Sequence, residues 1–303
     1  MNPRRLKAYL YLLCAAFIWG FAAVVIKFTL NGIEPLPFLT YRFAISTLIA
    51  LFSFNAIRRL LEKRITIIFW MIIYSLLSTT IALGFLFFGL KETTVLNLSL
   101  MTLLGPLLAS IAGVVFLREK ITKQEKIGTA IAFIGTFFTI IEPILEIEGK
   151  STTFIGNLLL VIYLISDVAS VIILKKLLRK GISPLALTNL SFVIAFLSIL
   201  PITIFSQSSG KIISDIFNLP FIYHAGVWYM AVFSGTAAYA LRAKGQKTVE
   251  VQEASLFGYL TAVFSIPLAV LLLKEKITIL YLLGAAIIVI GVAIAEYKKK
   301  VKR

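Results

Sequence analysis

Two short polar stretches decide the fold of this chain: LREKIT at Leu117–Thr122 and LKEKIT at Leu273–Thr278. They lie 156 residues apart in a chain of 303, and each separates two long apolar runs. At this spacing, residues 89–135 and 245–291 form 47 ungapped pairs, of which 17 are identical. Biased composition alone would give roughly five to seven identities, so we interpret the pattern as an internal duplication.

The front parts of the two halves also align, at spacings of 148 to 149 residues. Lys27 then aligns with Lys175, and Gly32–Leu36 aligns with Gly181–Leu185. The alignment divides the chain into a first repeat, residues 1–148, and a second repeat, residues 149–303.

The composition is that of a membrane protein. The chain is 59% hydrophobic and 15% charged, with a mean hydropathy of +0.97, whereas soluble domains are about 45–50% apolar and about 25% charged. The apolar runs are continuous, while the strands of a membrane β-barrel alternate apolar and polar residues. We therefore predict an all-α membrane protein.

Charged residues, glycines and prolines divide the chain into ten candidate transmembrane helices, each long enough for a hydrocarbon core of about 30 Å. No connection between them is long enough for a soluble catalytic or ATP-binding domain. The predicted spans are residues 7–29, 37–57, 65–89, 94–117, 127–145, 154–176, 182–205, 221–241, 251–273 and 277–296.

The distribution of Lys and Arg predicts the orientation. With the N-terminus in the cytoplasm, inner segments carry 23 of these residues and outer connections carry 5. The positive-inside rule then places both termini in the cytoplasm. The net charge of +16 is explained by helix orientation and by contact with lipid headgroups, so we expect no nucleic-acid partner.

Each repeat would hold five spans, and because five is odd, the second repeat would enter the membrane upside down. Inverted repeats are a recurring plan of secondary transporters, since each half can adopt the conformation of the other around one midplane site. Some channels are also inverted duplications.

Little in the sequence favours enzyme chemistry. There is one cysteine, Cys14, and one histidine, His224, so neither a disulfide within the chain nor a Cys/His metal cluster is expected. No Walker-type phosphate loop is present. We predict a protein that is not an enzyme and has no cofactor. The basic and apolar N-terminus has no small-residue cleavage pattern and is interpreted as an uncleaved first span.

The chain resembles the drug/metabolite transporter superfamily, in particular its EamA family, over nearly its whole length. The resemblance implies ten helices around a central cavity, with spans 1–4 and 6–9 lining it and spans 5 and 10 outside. It also implies transport of metabolites such as amino acids, often outward. The motifs that carry the resemblance are Trp19-Gly20, Lys27, Pro35, Arg42-Phe43, Gly105-Pro106, and the Leu-x-Glu of Leu117–Glu119 and Leu273–Glu275.

Two positions depart from the family pattern. In the second repeat, Ala262 aligns with Pro106, and a proline stands instead at Pro267. Asp167 occupies the position where the second repeat commonly has a tryptophan matching Trp19.

Asp167 lies about 13 residues into predicted span 6, close to the bilayer centre. An ionised carboxylate there costs at least about 2.5–3.5 kcal/mol. Asp167 is therefore a candidate for binding a proton or a substrate amine, and the alternative is a structural pair with an inward-facing Lys or Arg. Tyr163 lies one helical turn earlier on the same face and is a candidate for the same site.

Three further residues are substrate-binding candidates. Lys27 and Arg42 lie near the outer ends of spans 1 and 2, where they would hold a substrate carboxylate or simply extend to the interface. Trp19 is placed on the cavity wall by the resemblance, with helix packing as the alternative.

Four residues are candidates for gating or for a structural role. Glu119 and Glu275 flank span ends beside basic neighbours, which suits helix capping or gating ion pairs. Pro106 and Pro267 would kink spans 4 and 9, which suits a gate and also suits packing.

We expect a secondary transporter of small amino-acid-like or amphipathic solutes, an exporter, in the inner (plasma) membrane. It would work by alternating access, with Asp167 a candidate for proton coupling. The alternatives are a passive channel, and an integral-membrane lipid-handling protein.

Overall fold

The computed structural model of the chain describes residues 3–52, 54–117, 123–145, 153–206, 209–249, 254 and 257–296. Every regular element in these ranges is helical, which confirms the predicted all-helical class. The α-helices are α1 (Pro3–Thr29), α2 (Pro35–Leu51), α3 (Phe54–Leu61), α4 (Ile65–Ser75), α5 (Ala82–Glu92), α6 (Val95–Thr102), α7 (Leu104–Leu117), α8 (Lys123–Leu145), α9 (Phe154–Arg179), α10 (Pro184–Ser206), α11 (Ser209–Phe217), α12 (Phe221–Tyr229), α13 (Ala238–Thr248), α14 (Gly258–Leu273) and α15 (Ile279–Glu296).

Two π-helical segments join pairs of these helices. Leu76–Ile81 connects α4 to α5, and Met230–Ala237 connects α12 to α13. Each pair therefore continues as one long helix, Ile65–Glu92 and Phe221–Thr248. π-Helical segments are rare and frequently lie at functional sites, because they release backbone carbonyls from the α-helical pattern.

Five described helices are long and apolar enough to cross a membrane: Pro3–Thr29, Ile65–Glu92, Val95–Gly113, Phe154–Arg179 and Pro184–Ser206. A sixth span is obtained if Lys211–Phe217 and Phe221–Thr248, bent by 101°, are counted as one. The chain is therefore a multi-pass membrane protein. Four further apolar helices are shorter: Pro35–Leu51, Lys126–Phe138, Gly258–Leu273 and Ile279–Ile294.

Local sequence explains several helix starts. α2 begins with Pro35, whose missing N–H is one that the first turn of a helix leaves unpaired. The hydroxyl of Thr94 accepts the N–H of Asn97 at the start of α6, and that of Thr153 accepts the N–H of Gly156 at the start of α9. These caps satisfy backbone donors that have no partner within the helix.

The two predicted proline sites differ. α6 ends at Thr102 and α7 begins at Leu104, so the helix is interrupted at Leu103. Thr102, the last residue of α6, lies four residues before Pro106, which has no N–H to donate. That spacing is expected, since a proline cannot pair with the carbonyl four residues earlier. Pro267 lies inside α14, which continues past it to Leu273. Their gating roles stay predictions.

Positions equated by the 156-residue register make matching contacts between α8 and α15. A Cβ built on Gly135 would lie 2.8 Å from the backbone nitrogen of Ile288. A Cβ built on Gly291 would lie 2.5 Å from the backbone nitrogen of Ala132. The two helices are in backbone contact at both places, and only glycine leaves room for it.

A second matching pair joins the predicted repeats elsewhere. Gly89 of α5 lies against Leu160 of α9, and Gly245 of α13 lies against Leu12 of α1; an added Cβ would come within 2.7 Å of the leucine in both cases. Gly89 and Gly245 are 156 residues apart, and Leu12 and Leu160 are 148 apart.

We expect Gly291→Ala to lower the midpoint of thermal unfolding, because the new Cβ would meet α8 backbone that cannot move independently. Overpacking of this kind costs about 1–3 kcal/mol. The measurement is thermal unfolding of the detergent-solubilised protein by tryptophan fluorescence. Gly84→Ala is the control, because a Cβ there meets nothing within 4 Å; its midpoint should stay or rise slightly, since alanine favours helix. Equal losses in both variants would contradict the prediction.

Candidate functional site

A cavity of about 170 Å³ lies between helices of both predicted repeats. At about 10–15 Å³ per water, this volume suits about a dozen waters or one small metabolite. Most of the described residues that line it are apolar, and three of them are charged: Arg42, Asp167 and Arg242.

Asp167 and Arg242 form a two-bond ion pair in this cavity. Nη1 of Arg242 donates to Oδ1 of Asp167 at 3.1 Å, and Nη2 donates to Oδ2 at 3.2 Å. Each side chain is 20% exposed. Parallel N–H···O bonds are the strong form of this pairing, because the planar guanidinium matches both carboxylate oxygens. The sequence analysis gave a structural pair with an inward-facing Lys or Arg as the alternative role of Asp167, and Arg242 is such a partner.

Arg242 was missed as a site residue because the charge count assigned it to a cytoplasmic connection. The helical spacing around Arg242 nevertheless indicates that it shares a helix face with other polar side chains. Tyr239, Arg242 and Gln246 are three and seven residues apart on α13, a spacing that places side chains on one helix face, and all three line the cavity.

Trp19 joins α1 to the second π-helical segment. Its Nε1 donates to the carbonyl oxygen of Ser234 at 3.0 Å. In an α-helix that carbonyl would accept the N–H of Ala238, but here the N–H of Ala238 donates to Gly235 and Phe233. The Ser234 carbonyl therefore lacks its usual α-helical bond from Ala238 and accepts from the indole ring instead.

The same indole ring also contacts the ion pair. The Arg242 guanidinium carbon lies 5.3 Å from the Trp19 ring centroid, a cation–π contact of about 0.5–2 kcal/mol. The Tyr239 ring meets the Trp19 ring edge-on at 5.2 Å. The Tyr239 hydroxyl donates to the carbonyl oxygen of Ser78 at 3.3 Å, within the first π-helical segment. Ser78 and Ser234 are 156 residues apart, so both repeats offer the same carbonyl to the cavity aromatics.

Arg42 reaches the same cavity from α2 and is 0% exposed. Its guanidinium carbon lies 5.7 Å from the Phe43 ring centroid and 5.6 Å from that of Phe87. Its three nitrogens have no hydrogen-bond partner among the described residues.

Four of the five predicted substrate-binding residues line this one cavity: Trp19, Arg42, Tyr163 and Asp167. They come from the consecutive helices α1 and α2 and from α9, which is far from both in the chain. Their substrate contacts stay predictions, but the structure places them together.

Lys27, the fifth candidate, is not among the described residues that line the cavity. Its Nζ donates to three carbonyl oxygens at the C-terminal end of α5, with the shortest distance, 2.7 Å, to Thr93. Its repeat equivalent, Lys175, donates to the carbonyl oxygens of Gln246 and Val249 at the end of α13. A cation at a helix C-terminus satisfies free carbonyls and the helix dipole.

Glu275 caps a helix start in the other repeat. Its Oε1 and Oε2 accept the N–H groups of Val95 and Leu96, both at 2.9 Å, at the first turn of α6. Burial raises the pKa of Glu275 above its ordinary value, with the two N–H groups and Lys27 opposing the shift. Its repeat equivalent, Glu119, lies outside the described residues.

Comparison with known proteins gives consistent results. The sequence profile of the EamA-like transporter family matches twice, over residues 6–141 and 154–297. An uncharacterized transporter of Bacillus subtilis, YetK, is 26% identical over 98% of this chain and 89% of its own length. An uncharacterized transporter of Archaeoglobus fulgidus is 24% identical over 97% and 100% respectively. A solved crystal structure of another protein matches with a TM-score of 0.62 at 16% identity, covering 95% of this chain and 96% of its own; it supports the fold alone.

We expect Asp167→Asn and Arg242→Gln to be coupled in a double-mutant cycle of unfolding stability. Each single change leaves a partly buried charge without its partner, so the double variant should lose less than the sum, by about 0.5–3 kcal/mol. The Glu34→Gln and Lys91→Gln pair is the control, because that ion pair is more exposed and should couple by less than about 1 kcal/mol. Additive losses at 167 and 242 would contradict the prediction.

We expect the stability difference between wild type and Glu275→Gln to depend on pH. Because the pKa of Glu275 is raised in the folded protein above its ordinary 4.5, folding favours proton uptake between these two values. Lowering the pH through that interval should therefore stabilise wild type relative to Glu275→Gln. Unfolding midpoints of both proteins from pH 7 to pH 4 test this, since the other carboxylates cancel in the difference. A difference that stays flat, or moves the other way, would contradict it.

Proposed function

The chain belongs to the EamA-like transporter family, and on that premise we propose that it is a secondary transporter of small metabolites working by alternating access. The solutes would be amino-acid-like or amphipathic, and the direction outward, as the family resemblance implies. The protein would lie in the inner (plasma) membrane with both termini in the cytoplasm, where the positive-inside rule places them.

We propose that ten helices form two inverted five-helix repeats, residues 1–148 and 149–303. The family profile matches once in each half. The matching glycine contacts, the two lysine caps and the two π-helical segments at equivalent positions support the same duplication. The four shorter apolar helices would complete the ten spans, and 17 residues at 1.5 Å each give Pro35–Leu51 about 25 Å.

The observation that carries the proposal is the cavity at the junction of the two repeats. Trp19 and Arg42 come from the first repeat, while Asp167 and Arg242 come from the second. Charged side chains within a membrane mark transport pathways, because their desolvation is unfavourable without a functional or structural partner. A site shared by two repeats can open to either side when one repeat moves against the other.

Glu275 is proposed as part of the outer gate. It follows α14 in the second repeat and binds the start of α6 in the first. Opening the cavity on that side would separate these elements and break both hydrogen bonds. Asp167 is proposed as the acceptor for a coupling proton in a state in which Arg242 has moved away.

The experiment is counter-flow in proteoliposomes, with labelled amino acids and small carboxylates, with and without a pH gradient. We expect saturable exchange for wild type, and loss of exchange or of its pH coupling in Asp167→Asn. Glu62→Gln is the control, because this carboxylate is 64% exposed, and it should behave as wild type.

Flux without saturation or counter-flow would support a passive channel instead. Saturable exchange that is unchanged in Asp167→Asn would keep the transporter and return Asp167 to a structural role. No exchange of any solute in the panel would contradict transport of this class of metabolite.

A further inference from the structure

The described charges that line the cavity do not balance. Asp167 and Arg242 neutralise each other through two hydrogen bonds. Arg42 remains, and its guanidinium stays charged at any physiological pH. The described lining therefore carries one net positive charge.

Keeping Arg42 charged and buried is unfavourable for the free energy of the folded protein. Its side chain is 0% exposed, and its three nitrogens have no hydrogen-bond partner in the described part of the chain. Removing a charged group from water costs several kcal/mol even after the protein relaxes. The nearby rings of Phe43 and Phe87 provide cation–π contacts but no hydrogen-bond acceptor, so the described residues leave much of the penalty uncompensated.

We propose that Arg42 binds the anionic group of the transported solute, and that the solute is a small organic monoanion with an apolar body. This inference rests on the proposed transport function and specifies the substrate class of its site. An anion at Arg42 neutralises the remaining charge and accepts from the N–H donors that have no acceptor among the described residues; because these nitrogens are fully buried, neighbouring side chains must move for the anion to reach them. Carboxylate geometry suits that fork, because two oxygens accept two parallel N–H groups.

The pair Asp167–Arg242 argues against a zwitterion or an amine. Both carboxylate oxygens of Asp167 already accept from Arg242, so the negative charge that would attract a substrate ammonium is neutralised while this pair is intact. No other acidic side chain is present among the described lining residues. Among the described lining residues, the cavity therefore offers one cation without a hydrogen-bonding partner and no unpaired anion.

The remaining lining residues indicate which kind of molecular body the solute has. Apolar side chains dominate the described lining, with Trp19 and Tyr163 adding aromatic faces. Such a wall favours an apolar body through burial of its surface. Gly235, in the second π-helical segment, lies beside Arg42: a Cβ there would come within 3.6 Å of Nη2, so a larger side chain would crowd the guanidinium.

The experiment is ligand binding to the purified protein in nanodiscs, measured by thermal shift and by titration. The probes share one carbon skeleton and differ in charge: 4-methylpentanoate, 4-methylpentanamide, 4-methylpentylamine and leucine. A second pair, 3-phenylpropanoate and its amide, tests a larger body. We expect each carboxylate to bind wild type at least tenfold more tightly than its amide, and the amine and leucine to bind no better than the amides.

Variants then assign the effect to Arg42. Arg42→Gln should lose at least tenfold in carboxylate affinity without changing affinity for the amides, and Arg42→Lys should keep part of it. Arg58→Gln is the matched control, because Arg58 is 71% exposed on α3, and it should bind as wild type. The carboxylate-to-amide comparison needs wild type alone, so it decides the question even if Arg42→Gln does not fold.

The inference is overturned if no carboxylate binds better than its amide, if leucine or the amine binds best, or if Arg42→Gln keeps full carboxylate affinity. Counter-flow of the same probes separates this failure from failure of the transport function. Saturable exchange without anion preference would overturn the substrate class and leave transport standing. Anion binding through Arg42 without exchange would support the site and overturn transport.

Discussion

The ion pair of Asp167 and Arg242 is the interaction on which the arrangement of the cavity depends. A lone charge among apolar helices is strongly unfavourable, so each of these side chains requires the other, and the pair joins α9 to α13. Trp19 lies against the paired guanidinium, which brings in α1. The helices that meet at this pair form part of the cavity wall, and Arg42 is the charge in that wall with no counterpart among the described residues.

The π-helical segments explain how the aromatic side chains of the cavity are held in place. A buried indole N–H or phenol hydroxyl needs an acceptor, and regular helices use their own carbonyls. At Ser78 and Ser234 the altered pattern lies where Tyr239 and Trp19 find their acceptors. The segments that locally depart from regular helix are therefore those that orient the cavity.

Other polar side chains bind the backbone of neighbouring helices. Lys27 and Lys175 satisfy carbonyls at two helix ends, and Glu275 satisfies N–H groups at a helix start. In or beside the hydrocarbon core, the N–H and C=O groups at helix ends have little water to bind. Side chains from another helix satisfy them instead, and these hydrogen bonds link the helices of the bundle. Family motif residues such as Lys27 and Glu275 thus occupy positions where helix ends meet.

The sequence by itself determined the membrane class and the helical fold, it predicted the duplication, and it singled out four of the residues that share the cavity. Those features follow from the composition, from the apolar runs and from the register between LREKIT and LKEKIT, all of which can be read from the linear sequence. Only the tertiary structure decided which charge pairs with which: Asp167 with Arg242, Lys27 with backbone carbonyls, and Arg42 with no hydrogen-bonding group in the described chain. Electrostatic pairing depends on distance in space. Asp167 and Arg242 are 75 positions apart in the chain and become neighbours only because α9 and α13 pack side by side.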